Sequence, residues 1–100
     1  MHSYLETRLP ELISICRKHK VSKLYAFGSV VNGNFTDQSD VDLIAEIDEP
    51  APLQKGELWW SLYETLRQLL HREVDIISEK NLKNPYFIAE LNETKQLIYG

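Results

Sequence analysis

The sequence has 100 residues, of which 43% are apolar and 26% charged, with four glycines and four prolines. This composition is typical of a globular domain and excludes disordered and fibrous chains, so we expect one domain over residues 1–100. Eleven basic against fifteen acidic residues give a net charge of −4, which argues against direct binding to nucleic acid. No apolar run approaches the roughly 20 residues that span a bilayer, and the N-terminus lacks a secretory signal. A single cysteine cannot form an internal disulfide, and we expect a cytoplasmic protein without membrane association.

The first half of the chain predicts a helix, a strand and a loop. Apolar residues at helical spacing indicate a helix that ends near residues 19–20. Pro10 leaves two alternatives open, a kink in this helix or a main helix that begins near Pro10, because proline removes a backbone donor. Val21–Phe27 is a predicted strand, and the turn-forming residues of 30–39 indicate a short helical turn followed by a loop.

The second half continues the alternation of strands and helices. The predicted strands cover residues 40–47, 73–78 and 96–99, and the predicted helices cover residues 53–70 and 85–93. The helix over 53–70 has the clearest apolar stripe. The alternation predicts an α/β domain in which helices flank a small mixed β-sheet, mainly on one of its faces.

Several chemically interesting residues are explained more simply by packing. Cys16 lies on the apolar stripe of the first helix, which favours a core position over a nucleophile. Trp60 lies at the edge of the stripe of the long helix, where most tryptophans are half-buried; the alternative is a surface for a partner. His2, His19 and His71 are scattered without the spacing of metal ligands, and we assign them no function.

Three aspartates carry the first functional signal. Asp40 and Asp42 are two residues apart on a predicted strand, so both side chains project from one face. Asp75 lies between apolar neighbours on a third strand, which we expect to lie inside the sheet. If the two strands are adjacent, three carboxylates converge, and these hard oxygen ligands suit Mg²⁺. An isolated Asp-x-Asp pair is more often simply solvated; the metal site is favoured by its combination with Asp75 and with an upstream Gly28-Ser29 pair.

The Gly28-Ser29 pair, directly after the first strand, carries the second signal. Gly28 allows a sharp turn and a close approach of the backbone to a ligand. Ser29 opens the next helical turn, whose free N–H groups favour an anion, although Ser29 could also be an ordinary helix cap. Gly33 can end that turn in the left-handed conformation, and Ser39 is expected to cap or orient the turn before Asp40. A phosphate-binding turn beside carboxylates indicates a triphosphate with Mg²⁺ and phosphoryl-type transfer.

The spacing of these residues resembles a known family. Gly-Ser, ten residues and Asp-x-Asp are similar to the nucleotidyltransferase superfamily of DNA polymerase β type. The more specific motif resembles its small bacterial branch, the minimal nucleotidyltransferase (MNT) domains, in Gly28-Ser29-x-x-x-Gly33 and Ser39-Asp40-Val41-Asp42-Leu43. The order of the elements and the third carboxylate also agree, so the resemblance covers nearly the whole chain. It implies a minimal nucleotidyltransferase (polymerase β-like) fold.

The resemblance also implies an activity and roles for the residues. A nucleoside monophosphate, AMP from ATP, would pass to a hydroxyl acceptor in an Mg²⁺-dependent reaction. Asp40 and Asp42 would hold two metal ions, and Asp75 would complete the site of the ion that activates the acceptor. Gly28 and Ser29 would hold the β- and γ-phosphates.

Further nucleotide-binding positions implied by the resemblance are Gly33 and Ser39. Many members of the family carry arginine just before the second glycine, where this chain has Asn32. A cation that could help to neutralise phosphate is therefore missing at this position.

The acceptor must come from outside the chain, because 100 residues leave no room for an acceptor-binding domain. MNT domains typically occur with HEPN-type RNase toxins, so the resemblance implies an antitoxin that adenylylates its toxin, on a tyrosine, within a homo- or hetero-oligomer. One alternative is a binding module, weakly catalytic or non-catalytic, that neutralises its partner by contact. Asn32 favours it, and the three intact aspartates argue against it. A free-standing transferase of a small molecule is disfavoured by the missing acceptor domain.

Overall fold

The computed structural model describes residues 3–100 as a four-stranded sheet with five α-helices. The strands are β1 (Val21–Phe27), β2 (Val41–Ile47), β3 (Val74–Ile77) and β4 (Gln96–Tyr99). The helices are α1 (Ser3–Glu6), α2 (Leu9–Lys18), α3 (Ser29–Asn32), α4 (Pro52–Leu70) and α5 (Pro85–Thr94), with a 3₁₀ turn at Glu79–Asn81. These bounds lie close to the predicted ones, and no described helix is long and apolar enough to cross a membrane.

Pro10 decides between the two alternatives for the N-terminal helix. The chain forms a short α1 and a separate α2, and Pro10 is the second residue of α2. At that position the missing N–H is not needed, because the first N–H groups of a helix have no partner within it. The main helix therefore begins next to this proline, at Leu9, and residues 3–18 do not form one continuous kinked helix.

The sheet is mixed, as predicted, with the strand order β3-β2-β1-β4. β1 is antiparallel to both β2 and β4, whereas β2 is parallel to β3. A parallel pair needs a crossover connection, and α4 supplies it. β3 is an edge strand, so the expectation that it lies inside the sheet was wrong: only β2 pairs with it among the described residues.

The main core lies between one face of the sheet and the helices α2 and α4. Its fully buried residues alternate along the strands and follow one stripe of each helix. They include Leu12 and Cys16 of α2, Leu24 and Ala26 of β1, Val41, Leu43 and Ala45 of β2, and Leu62, Leu66 and Leu70 of α4. Alternation along β2 places Asp42, Ile44 and Glu46 on the opposite face, where Ile44 is buried outside this core cluster.

Two packing predictions were tested by burial. Cys16 is completely buried, as predicted, and burial raises the pKa of its thiol to about 11. Trp60 is 64% exposed and its ring lies against Tyr63, so the expectation of a half-buried packing residue was wrong. His19 is buried and links α2 to α4, with ring nitrogens 2.7 Å from the Ile15 carbonyl oxygen and 2.9 Å from Ser61 Oγ. His2 lies outside the described residues.

Candidate active site

The sheet register brings two of the three aspartates side by side. Asp42 of β2 is paired with Asp75 of β3 in the parallel ladder, and with Phe27 of β1 on its other side. Adjacent strands lie about 4.8 Å apart, and both carboxylates project from the face opposite the main core. Asp75 is exposed because β3 is at the edge of the sheet.

Asp40 lies in the loop just before β2. We predicted a strand over residues 40–47, but the strand begins at Val41, whose N–H donates to the Glu73 carbonyl oxygen at 3.0 Å. The ladder starts only at that hydrogen bond, so Asp40 is one residue outside it. Its side chain is exposed, close to the point where β2 and β3 begin.

The carboxyl group of Asp42 is affected electrostatically by the carboxylates of both Asp40 and Asp75. Partial burial is the largest cause that raises the pKa of Asp42, followed by repulsion from Asp75 and then from Asp40. Asp40 and Asp75 therefore both lie within electrostatic range of Asp42. A cation bound among them would relieve this repulsion.

Gly28 directly follows β1 and lies beside the Asp42 carboxylate. Its backbone has φ 72° and ψ −145°, a conformation that side chains rarely adopt. A Cβ atom added there would lie 2.5 Å from Asp42 Oδ2. Only glycine fits both the turn and the carboxylate beside it. The predicted close approach of a ligand to the Gly28 backbone stays a prediction.

Ser29 is the first residue of α3, and Gly28 occupies the N-cap position. The N–H groups of Val31 and Asn32 donate to the Gly28 carbonyl oxygen, each at 3.0 Å. The N–H groups of Ser29 and Val30, the first two residues of α3, have no acceptor within the helix, and they lie next to Gly28. No side-chain cap is formed at this helix, so the alternative of Ser29 as a helix cap was wrong.

The loop after α3 forms turns held by side-chain to backbone hydrogen bonds, at the turn-forming residues of its sequence. Gly33 ends α3 in the left-handed conformation, with φ 90°, as predicted. Asn32 Oδ1 accepts a hydrogen bond from the Asn34 N–H at 3.0 Å, so this side chain is used within the loop. Ser39 Oγ accepts the Thr36 N–H at 2.9 Å, which shapes the turn before Asp40. The structure therefore gives Ser39 the orienting contact that we expected.

Two features near the site were missed by the sequence reasoning. Arg72 reaches from the segment before β3 to the loop before Asp40, a contact that only the tertiary structure reveals. A cleft of about 210 Å³ lies between α3 and α5, next to Gly28. The α5 residues that line it include Phe87 and Glu90; the proline at the start of this helix predicted the helix but not its position.

The donor set fits a divalent cation. Asp40, Asp42 and Asp75 offer only carboxylate oxygens, the ligand type that Mg²⁺ prefers, and their mutual repulsion favours a cation between them. Among residues 3–100, no three acidic, histidine or cysteine side chains are already gathered as ligands around one point. The carboxylates would therefore have to turn toward a bound ion.

Comparison with known proteins identifies the family. Residues 10–100 match the sequence family described as "Polymerase beta, Nucleotidyltransferase". The chain is 35% identical over 99 residues to MJ1379 of Methanocaldococcus jannaschii, a candidate protein adenylyltransferase; the match covers 91% of this chain and 96% of that protein. A solved structure of a candidate minimal nucleotidyltransferase has a TM-score of 0.77 and 29% identity, and covers 96% of this chain and 95% of that one.

A more distant likeness shows the fold alone. A chain in the complex of a tri-AMPylated Shewanella oneidensis HEPN toxin with its MNT antitoxin has a TM-score of 0.65 and 16% identity. This match covers 95% of the present chain and 71% of that one. The motif, the mixed sheet and the family match agree, and they confirm the resemblance drawn from the sequence. The chain belongs to the polymerase beta nucleotidyltransferase family.

Proposed function

We propose that this protein transfers AMP from ATP to a hydroxyl group of a partner protein, a HEPN-type toxin, and so acts as its antitoxin. The observation that carries the proposal is the position of Gly28 against Asp42, which is itself in register with Asp75. A turn whose backbone a ligand can approach closely and a set of carboxylates thus lie at the same end of the sheet. The name of the M. jannaschii relative supports adenylyl transfer, and the HEPN–MNT complex supports the class of partner. Such a reaction would take place in the cytoplasm, where ATP is available.

The carboxylates would hold the metal. Asp40, Asp42 and Asp75 are the residues that we propose as ligands of Mg²⁺, with two ions bound among them. When bound, Mg²⁺ neutralises charge on the phosphates and on the attacking and leaving oxygens. Asp42 is central to the set because it lies beside Asp75 and because both other aspartates raise its pKa.

The chain itself would bind the triphosphate and accept a proton. Gly28 and Ser29, whose N–H group lies at the start of α3, would hold the β- and γ-phosphates. Gly33 and Ser39 are also proposed nucleotide-binding residues, since one ends the phosphate turn and the other orients the turn before Asp40. The acceptor oxygen forms a bond to the α-phosphorus, the bond to the bridging oxygen breaks, and pyrophosphate leaves. We assign the hydroxyl proton to the Asp75 carboxylate.

A second candidate function is neutralisation of the partner by contact alone. The observation that favours it is Asn32, which supplies no cation to a phosphate and is hydrogen-bonded within its own loop. The two candidates differ in whether a covalent bond to the partner is made.

The test uses the protein co-expressed and purified with its partner toxin. The complex is incubated with Mg²⁺ and either [α-³²P]ATP or [γ-³²P]ATP, and label on the partner is measured. We expect label from the α position only, because AMP is transferred and pyrophosphate is released. Asp40→Asn combined with Asp42→Asn should abolish labelling. Asp37→Asn is the matched control, since Asp37 is an exposed aspartate in the preceding loop.

The alternatives predict different results. Label from γ-ATP would indicate a kinase, and the adenylyl-transfer proposal would be wrong. An unlabelled partner that is nevertheless neutralised would favour the contact-only function. Full labelling by the folded double variant would exclude Asp40 and Asp42 as metal ligands.

A further inference from the structure

The position of Asp40 depends on the loop before β2. Asp42 is fixed between two ladders, with Phe27 on one side and Asp75 on the other. Asp40 precedes the strand and shares in neither ladder. The backbone position of Asp40 therefore depends on contacts outside the sheet.

A compact turn over residues 36–39 leads directly into Asp40. Ser39 N–H donates to the Thr36 carbonyl oxygen at 3.1 Å, and Thr36 N–H donates back to Ser39 Oγ at 2.9 Å. The Gln38 N–H donates to Thr36 Oγ1 at 3.3 Å. These bonds define the shape of the turn, but they leave its position relative to the sheet open.

Arg72 attaches this turn to the segment that leads into β3. Its Nη1 donates to the carbonyl oxygens of Thr36, at 2.9 Å, and Ser39, at 2.8 Å. The guanidinium carbon also lies 4.3 Å from the ring centroid of Phe35 and 4.8 Å from that of Tyr4. A planar guanidinium can stack on aromatic rings while it donates in its own plane, so these contacts fix its orientation.

The two peptide groups that flank Asp40 are thus both held by one short segment. The Ser39 carbonyl oxygen is bound by Arg72, and the Val41 N–H is bound by the Glu73 carbonyl oxygen at 3.0 Å. Asp75 follows two residues later on β3. The backbone on either side of Asp40 is therefore tied to the strand that carries Asp75.

We infer that Arg72 is a positioning residue for the metal site: it sets the place of the Asp40 carboxylate relative to Asp42 and Asp75. The inference rests on the proposed function, in which these three residues bind Mg²⁺. Arg72 contacts neither the metal nor the nucleotide in this role, and it acts through the backbone of the turn.

The sign of the effect separates this role from a simple charge effect. Removal of a positive charge near three carboxylates strengthens the binding of a cation, because electrostatic repulsion of the ion decreases. Loss of the positioning contacts weakens binding, because Asp40 is no longer held beside its partners. If Arg72 only stabilised the fold, its substitution would lower the melting temperature and leave the metal affinity unchanged.

The experiment measures Mn²⁺ binding to the purified full chain by electron paramagnetic resonance of the free ion, without nucleotide. Arg72→Met keeps the length of the side chain and removes its donors and charge. We expect about tenfold weaker Mn²⁺ binding. The control is Arg67→Met, which removes the same charge from an arginine paired with Glu64 and Glu73, and we expect binding within twofold of the wild type. Circular dichroism and thermal unfolding report on the fold of each variant.

Arg72→Lys provides the second variant, and it decides the matter if Arg72→Met does not fold. Lysine keeps the charge but lacks the planar fork, and we expect about threefold weaker Mn²⁺ binding. If Arg72→Met folds, unchanged or stronger Mn²⁺ binding in that variant overturns the inference. If only Arg72→Lys folds, unchanged or stronger binding in Arg72→Lys overturns it. AMP transfer to the partner is measured in parallel. If the wild type binds Mn²⁺ and transfers nothing, the proposed function fails while the effect of Arg72 on the metal stands.

Discussion

At the scale of single residues, Asp42 combines partial burial with two neighbouring charges. Burial, Asp75 and Asp40 all raise its pKa, in that order of importance. A raised pKa means that the folded protein favours the protonated form more than the unfolded chain does. The resulting contribution to stability is complete below the ordinary pKa of an aspartate, and it is lost as the pH rises through the raised value. In metal-free protein at neutral pH, Asp42 therefore opposes folding.

Asp42→Asn should raise the melting temperature of the metal-free protein at pH 7, by about 2–4 °C, because asparagine carries no charge into the cluster. The difference from wild type should shrink as the pH falls and Asp42 becomes protonated. Thermal unfolding with a chelator, followed over a pH series, checks both statements. Asp37→Asn should show neither effect, and a variant that is destabilised at pH 7 would contradict the account.

Gly28→Val should weaken the binding of ATP by at least about tenfold and that of adenosine much less. The new side chain meets Asp42 Oδ2 and strains a backbone with positive φ, at the point where we place the phosphates. Calorimetric titration with both ligands measures the difference. Gly56→Ala is the control, since a Cβ at this helical position meets no atom within 4 Å. Equal losses for ATP and adenosine would place the phosphates elsewhere.

At the scale of elements, α4 is the long crossover between β2 and β3 and packs its stripe on the main core. Leu66→Ala should lower the free energy of unfolding by about 2–5 kcal/mol, because the side chain is completely buried. Leu53→Ala on the same helix removes a side chain that is 73% exposed, and should change stability by about 0.5 kcal/mol or less. Urea unfolding compares the two variants, and similar losses would mean that the packing of α4 is misassigned.

The elements show how far sequence patterns reach. Local chemistry was sufficient for β1 and for the left-handed end of α3 at Gly33, whereas it left two alternatives open at Pro10. The edge position of β3 could not be predicted in the same way. The order of strands in a sheet is set by tertiary pairing between segments distant in sequence, and the residues of β3 alone do not specify it. Trp60 lies at the border of the apolar stripe, where a small rotation of the helix decides between burial and exposure.

The candidate site follows the same division. The aspartates and Gly28 could be identified because their spacing is a property of the chain. Arg72 could not, since its contacts are to residues more than thirty positions away in sequence and to carbonyl oxygens, which every residue has. No side-chain pattern marks such a contact.

At the scale of the whole molecule, Asp75 separates the two candidate functions. It is exposed on the edge strand, so Asp75→Asn should leave the fold intact. If the protein is an enzyme, we expect the variant to retain the partner and much of its ATP binding, and to lose transfer by orders of magnitude. In cells it should fail to protect against the toxin, which growth on induction measures. Protection equal to the wild type would show that neutralisation is by contact, and loss of partner binding would move Asp75 from the active site to the interface.

The parallel pairing of β2 with β3 also affects when the protein can work. A ribosome makes the chain in order, so β1, β2 and the pair Asp40 and Asp42 emerge well before Asp75, which follows the 19-residue α4. The second edge of β1 pairs with β4, which is synthesised last of the four strands. Until then, the nascent chain exposes this edge. At roughly 5–20 residues per second, the final quarter of the chain takes a few seconds to appear. Under the proposed function, the three aspartates come together only late in translation, and AMP transfer to a partner would begin only after that.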